Sequence, residues 1–273
     1  MTDLTTVIAD LDAESAQIGR MVDGLDGAGW ARPTPAPGWT VADQVAHLAF
    51  IFRLAGTAAS DAAAFQALTE RAKGDFNGAV NAALREYPTG SPQDLLAVWE
   101  RERAEGIAAL AAFPEDRTVP WLVNPLPPAI LACAGIMETF AHGQDIADAL
   151  GVRLERTDRL LHLVGFAILT RDFGYQTRGL TPPAHEFRFE ITAPSGAQWT
   201  FGPEDAPDRV SGPAEDFCLL VTRRRHRADV AVTADGPEAD RWLDIAQAYR
   251  GPAGPGRAPG QFAAAASGRP ASG

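Results

Sequence analysis

An all-α N-terminal domain followed by a small α+β domain is the fold class that this sequence predicts. Apolar residues recur at helical spacing through about residue 178, which a helical bundle requires. Beyond about residue 184 the period drops to two, with Phe187, Phe189 and Ile191 alternating with polar neighbours as in a half-buried strand. The length of 273 residues allows one large domain or two modest ones. The expected division is residues 1–178 for the bundle and 184–252 for the α+β domain, with a tail at 253–273 expected to be disordered. That tail is rich in Gly, Pro, Ala and Ser.

Each element has a local reason. Leu4, Val7, Ile8, Leu11, Ile18, Val22 and Leu25 mark the first helix, which Gly24, Gly27 and Gly29 end. The prolines of ARPTPAPG forbid a helix there. Thr40 is an expected N-cap with Asp43 three residues on, opening a helix through VADQVAHLAFIFRLAGTAA. Weaker Ala-rich helices are expected at 61–72 and 75–86. Ser91-Pro92 predicts the start of a long helix to Phe113. TVPWLVNPLPP reads as a loop, and AILACAGIMETFAHGQDIADALG as a helix stopped by Gly151. One further helix is expected over 158–175. In the second domain, AQWTFG and ADVAVTA read as strands, and GPAEDFCLLVTRR and PEADRWLDIAQAY as helices.

Composition narrows the function classes. Hydrophobic residues are 46% and charged residues 22%, an ordinary globular balance. A net charge of −11 argues against nucleic acid or an anionic membrane as partner. No apolar run reaches the roughly 20 residues of a bilayer span, and the acidic N-terminus lacks a basic n-region, so a cytoplasmic location is expected. Cys133 and Cys218 stand far apart without a CxxC pair and are expected to be buried and unreactive. No phosphate loop, dinucleotide fingerprint or nucleophile elbow occurs.

Glu138 and His142, four apart, share one helix face, with Leu131 and Asp145 extending the stripe. His47 lies on another helix. If a bundle brought these faces together, two imidazoles and a carboxylate would face its interior, an N2O set with room left for water or substrate. A Glu–His pair at this spacing is by itself usually a helix-surface pair, and a lone His on an apolar face such as His47 is usually a hydrogen-bonded core histidine. Asp145 reads as a partner orienting an imidazole, or as a solvated acid near a helix end. Arg223, Arg224 and Arg225, followed by His226 and Arg227, read as a solvated helix end or as an anchor for an anionic substrate. His162 and His185 are read as structural, and Trp39, Trp99 and Trp121 as core or pocket wall.

The segments PGWTVADQVAHLAF and ETFAHGQDIADALG resemble the second-helix and later-helix signatures of the DinB-like and mycothiol-dependent maleylpyruvate isomerase superfamily. The resemblance implies a DinB-like four-helix bundle and a divalent metal held by His47, Glu138 and His142. The stretch GAQWTF through AQAYRGP is similar to the SCP2-like domain that follows the bundle there, most of all in an actinobacterial metal-binding subfamily. Lys73 is the only lysine among 24 basic residues, a bias that fits the GC-rich coding of actinobacteria, which make mycothiol.

The implied function is a metal-dependent isomerase or S-transferase acting on a small molecule, with mycothiol as co-substrate. Zinc is the first metal expected, and nickel, iron and manganese suit the same ligands. Two other readings stay open. One is a thiol-independent cyclase, hydrolase or isomerase of specialised metabolism. The other is a non-catalytic metal or ligand binder closed by a fourth ligand such as Asp43 or Asp145. Oligomeric state is left open, a homodimer included.

Overall fold

A computed structural model describes residues 3–71, 76–122 and 124–262. The expected tail beyond residue 262 and the join between the two Ala-rich segments lie outside the described residues. The chain divides into two compact units, Met1–Leu154 and Glu155–Gly273.

Four long helices build the first unit: α1 (Leu4–Val22), α3 (Val41–Ser60), α6 (Pro92–Ala111) and α7 (Pro128–Leu150), with α2 (Gly27–Trp30), α4 (Ala62–Arg71) and α5 (Phe76–Leu84) as shorter pieces. Their starts follow from local chemistry. The Asp3 carboxylate accepts from Thr6 N and caps α1. Thr40 and Asp43 close a reciprocal capping box at α3, which satisfies two otherwise orphaned N–H groups. Ser91 precedes α6 as expected, but its hydroxyl donates to Asp94 instead of capping the backbone. Gly151 closes α7 in the left-handed region, at φ 69°.

α3 packs on α6 and α7, and α1 packs on α6 and α7. Small residues let the backbones approach. A Cβ on Gly106 would stand 2.6 Å from the Phe52 carbonyl oxygen where α6 meets α3, and one on Gly143 would stand 2.9 Å from Ile18 Cδ1 where α7 meets α1. Leu11, Ile18, Leu48, Leu95, Trp99, Ile136 and Phe140 fill the core. Each such side chain contributes about 1.5–3 kcal/mol through its removal from water.

The second unit holds α8 (Leu160–Leu169), α9 (Phe173–Gln176), β1 (Arg188–Thr192), β2 (Gln198–Phe201), β3 (Arg209–Pro213), α10 (Ala214–Val221), β4 (Thr233–Asp235) and α11 (Pro237–Ile245). The sheet order is β2-β1-β3-β4, with β1 antiparallel to β2 and parallel to β3, and β3 antiparallel to β4. Phe187, Phe189, Phe217 and Trp242 meet at centroid distances of 5.7–6.3 Å and form its aromatic core.

The single helix expected over 158–175 is two, interrupted at 170–172, and α8 packs on α10, so it groups with the second unit although its periodicity resembles the bundle's. β3 has no counterpart in the sequence reading, because only Val210 of RVSGP gives an apolar signal. β4 is shorter than the expected 228–234, since a 3-10 turn occupies Arg227–Asp229. The start of the expected tail lies against this unit: Gly260 N donates to Asp229, and Phe262 lies under the Arg225 guanidinium. Among the described residues no helix is long and apolar enough to cross a membrane.

Candidate metal centre

α3 carries His47 and α7 carries Glu138 and His142, and the packing of these helices brings the three side chains together. One ligand atom from each lies within 4.8 Å of the others. Nε2 of His142 is 3.3 Å and Nε2 of His47 is 3.7 Å from the same oxygen, Oε2 of Glu138. The imidazole centroids are 4.4 Å apart. The side chains are 13% (His47), 14% (His142) and 25% (Glu138) exposed, so the cluster is sheltered without being sealed.

These separations are long for hydrogen bonds, which run about 2.7–3.2 Å for N–H···O. The second unit supplies an internal contrast, where His185 Nε2 and Asp208 Oδ2 stand 2.7 Å apart as an ordinary pair. Ligand atoms around a tetrahedral ion, with bonds of about 2.0–2.2 Å, are about 3.3–3.5 Å apart along each edge. The Glu138–His142 and Glu138–His47 spacings sit close to that edge length, so the three residues could hold one cation.

Electrostatics favour the anionic form of the carboxylate. Burial would raise the Glu138 carboxyl, but the facing imidazoles of His142 and His47 outweigh it and hold the group well below the usual carboxylate range. Trp39 covers the pair, stacked on His142 at 5.9 Å and tilted against His47 at 5.2 Å. Its placement comes from the proline-rich loop before α3. Gly38, at φ 78°, turns the chain in a conformation that other residues resist, and Thr34 N and Trp39 O close the turn at 2.8 Å.

The sequence reading missed the polar support. Gln44, fully buried on α3, accepts at Oε1 from the His142 Nδ1 side at 2.6 Å, and its amide donates to Thr34 Oγ1 at 2.9 Å. A polar Gln44 three residues before His47, and so on the same face of a mostly apolar helix, was the available signal. Nδ1 of His47, in contrast, is buried with no hydrogen-bond partner among the described residues.

Asp145 is fully buried on α7, and the partner at His142 Nδ1 is Gln44. The Asp43 carboxylate is committed to the α3 capping box, and among the described residues no fourth His, Cys, Asp or Glu joins the triad. Arg223, Arg224 and Arg225 cap the C-terminus of α10 in the second unit. Arg223 is left-handed at φ 58°, and Arg224 N and Arg225 N donate to Leu219 O, which satisfies an end carbonyl. Their guanidinium groups donate to the carbonyls of Gly254, Thr222 and Arg224. Trp99 is core, edge-on to Phe52, and Trp121 stacks on Phe65. His162 is buried, and both cysteines are buried and outside any disulfide.

A helical unit that gathers two imidazoles and a carboxylate from neighbouring long helices defines the class, a bundle with a candidate metal centre. The chain belongs to the family described as the mycothiol maleylpyruvate isomerase N-terminal domain, which matches residues 11–147. Residues 183–235 match a second family, described as wyosine base formation. Uncharacterized proteins from two strains of Mycobacterium tuberculosis are 45% identical over 257 residues, covering 94% of this chain and 100% of each relative. A crystal structure of the mycothiol-dependent maleylpyruvate isomerase superposes with a TM-score of 0.56 at 16% identity, over 87% of this chain and 96% of that one. A point mutant of that enzyme gives 0.57 at 17% identity. At this identity the likeness shows the fold, helical unit then α+β unit.

Proposed function

We propose that this protein is a metal-dependent enzyme acting on a small molecule that is anionic or carbonyl-bearing, with His47, Glu138 and His142 as ligands of one divalent cation. Zinc suits two imidazoles and a carboxylate best, with nickel, iron and manganese compatible. The observation that carries the proposal is the convergence of both imidazole Nε2 atoms on Glu138 Oε2 at 3.3 and 3.7 Å. Three protein ligands leave a coordination position for a reactant. A cation bound there lowers the pKa of a thiol or water, or polarises a carbonyl.

The remaining chemistry belongs to the chain. Glu138 stays ionised and supplies the negative charge of the site. Trp39 walls one side and limits the water that reaches the imidazoles. The co-substrate we assign is mycothiol, on which the related isomerase of known structure depends. Addition of its thiolate to an electrophilic carbon followed by its departure gives isomerisation, and its retention gives S-transfer. The second unit is read as an SCP2-like domain, with Arg223, Arg224 and Arg225 as candidate anchors for an anionic group. A cytoplasmic location belongs to the same proposal.

The test is metal content by mass spectrometry of the purified protein and of His47→Ala and His142→Ala. About one equivalent in the wild type and loss in both variants is expected. Unchanged content in both variants removes the site. Turnover with and without mycothiol separates the thiol-dependent enzyme from a thiol-independent one.

A further inference from the structure

The two histidines of the triad are held differently. Nδ1 of His47 is buried without a partner among the described residues, whereas Nδ1 of His142 ends a chain of hydrogen bonds. That chain begins at the main-chain carbonyl of Trp39, which can only accept. The Thr34 hydroxyl lies 2.9 Å from it and donates its single proton there. Thr34 Oγ1 must then accept from Gln44, 2.9 Å away, so the NH2 end of the amide faces Thr34. The oxygen end faces His142 at 2.6 Å, and His142 Nδ1 must carry the proton. A reversed amide would leave the one hydroxyl proton to be shared between two oxygen acceptors. The polarity of a backbone carbonyl thus reaches an imidazole two elements away, sets the amide orientation and places a proton on Nδ1.

We infer that Gln44 is a positioning residue that keeps a proton on His142 Nδ1 and so leaves Nε2 as the nitrogen that faces Glu138 and His47, with Thr34 setting the direction of Gln44. The inference about the tautomer stands on the hydrogen bonds alone; its consequence for metal affinity rests on the ligand assignment proposed above. Outer partners of this kind change metal affinity by about 10–100-fold when lost. A histidine without one, as His47 is here, has its tautomer chosen only by what meets Nε2.

The experiment combines two measurements on the full chain. Two-bond 1H–15N spectra of metal-free protein at about pH 8.5, above the usual imidazole range, read the tautomer of each histidine, with His142→Ala assigning the signal. Competition against a chelator reads zinc affinity. The wild type is expected to show the Nδ1–H form at His142. Gln44→Leu, similar in volume and without an acceptor, shifts that signal toward Nε2–H and weakens zinc binding about 10–100-fold. Thr34→Val, which frees the amide to turn over, moves both readouts the same way, and Thr34→Ser restores them. A merely structural glutamine would lower stability and leave the tautomer unchanged. Persistence of the Nδ1–H form in Gln44→Leu, with affinity within about twofold of wild type, overturns the inference. If Gln44→Leu does not fold, Thr34→Val decides by the same criteria. A wild type that binds no zinc but shows the expected tautomer shift refutes the metal reading and leaves Gln44 as the positioning residue. Zinc binding with an unresponsive tautomer does the reverse.

Discussion

A cation at the triad ties residue 47 of α3 to residues 138 and 142 of α7, and it binds only while those helices are packed. Every opening that parts α3 from α7 must therefore release it, while openings within the β1–β4 sheet leave the ligands untouched. By linkage, ligand at about one hundred times its Kd disfavours the opened form by about 2.7 kcal/mol, a factor of about 100. Amide exchange in the buried stretches of α3 and α7 should slow by that factor, and exchange in Phe189, Ile191 and Val210 of the sheet should slow only where it proceeds through openings that also part α3 from α7. Hydrogen-exchange mass spectrometry with and without zinc reads both regions in one experiment. His142→Ala, with two ligands left, should lose most of the protection. No protection of α3 and α7 at saturating zinc refutes a cation shared between them.

Three further outcomes are expected. Gly106→Ala places a methyl 2.6 Å from the Phe52 carbonyl oxygen, and a backbone neighbour cannot step aside, so a loss of about 1–3 kcal/mol should appear in urea unfolding; an unchanged midpoint rejects the close crossing of α3 and α6. Burial pushes the Cys133 thiol up to about 12, so it holds its proton near neutral pH and should alkylate only through opening of α7; labelling at the rate of the denatured chain rejects this. Arg223→Gly relieves a non-glycine left-handed residue and should leave the fold unchanged or more stable by about 1 kcal/mol, so any loss of anion binding reports the guanidinium, and a large destabilisation shows the side chain to be structural.

Much of the first unit was legible because its signals are local. Thr40 and Asp43 sit three apart and make a capping box wherever the helix starts, and Leu11, Ile18 and Val22 repeat at the helical period. The second unit was less legible. β3 is held by its neighbours, with Arg209–Pro213 pairing to β1 on one side and its first residues to β4 on the other, and one buried Val210 is too little period to announce a strand. α8 has an apolar face that a bundle could have used equally well; that it packs on α10 follows from tertiary context its own residues do not encode.

The candidate site divides along the same line. Glu138 and His142 are one turn apart, so their common face was certain once the helix was, and only the meeting with His47 required the fold. The support around His142 was hidden for a different reason. Gln44 and Thr34 matter through the direction of their hydrogen bonds, and direction is set by a carbonyl in the loop before α3, not by any residue type. Asp145, three residues after His142, is fully buried on the same helix, and an acceptor at Nδ1 comes from Gln44 of α3. Sequence spacing can put two groups on one face; it carries no information about which donor a buried acceptor will meet across a helix interface. A buried amide beside an expected ligand is therefore the feature to weigh next in such a helix, because leaving it unpaired costs about 1–3 kcal/mol and the fold must supply it with partners on both ends.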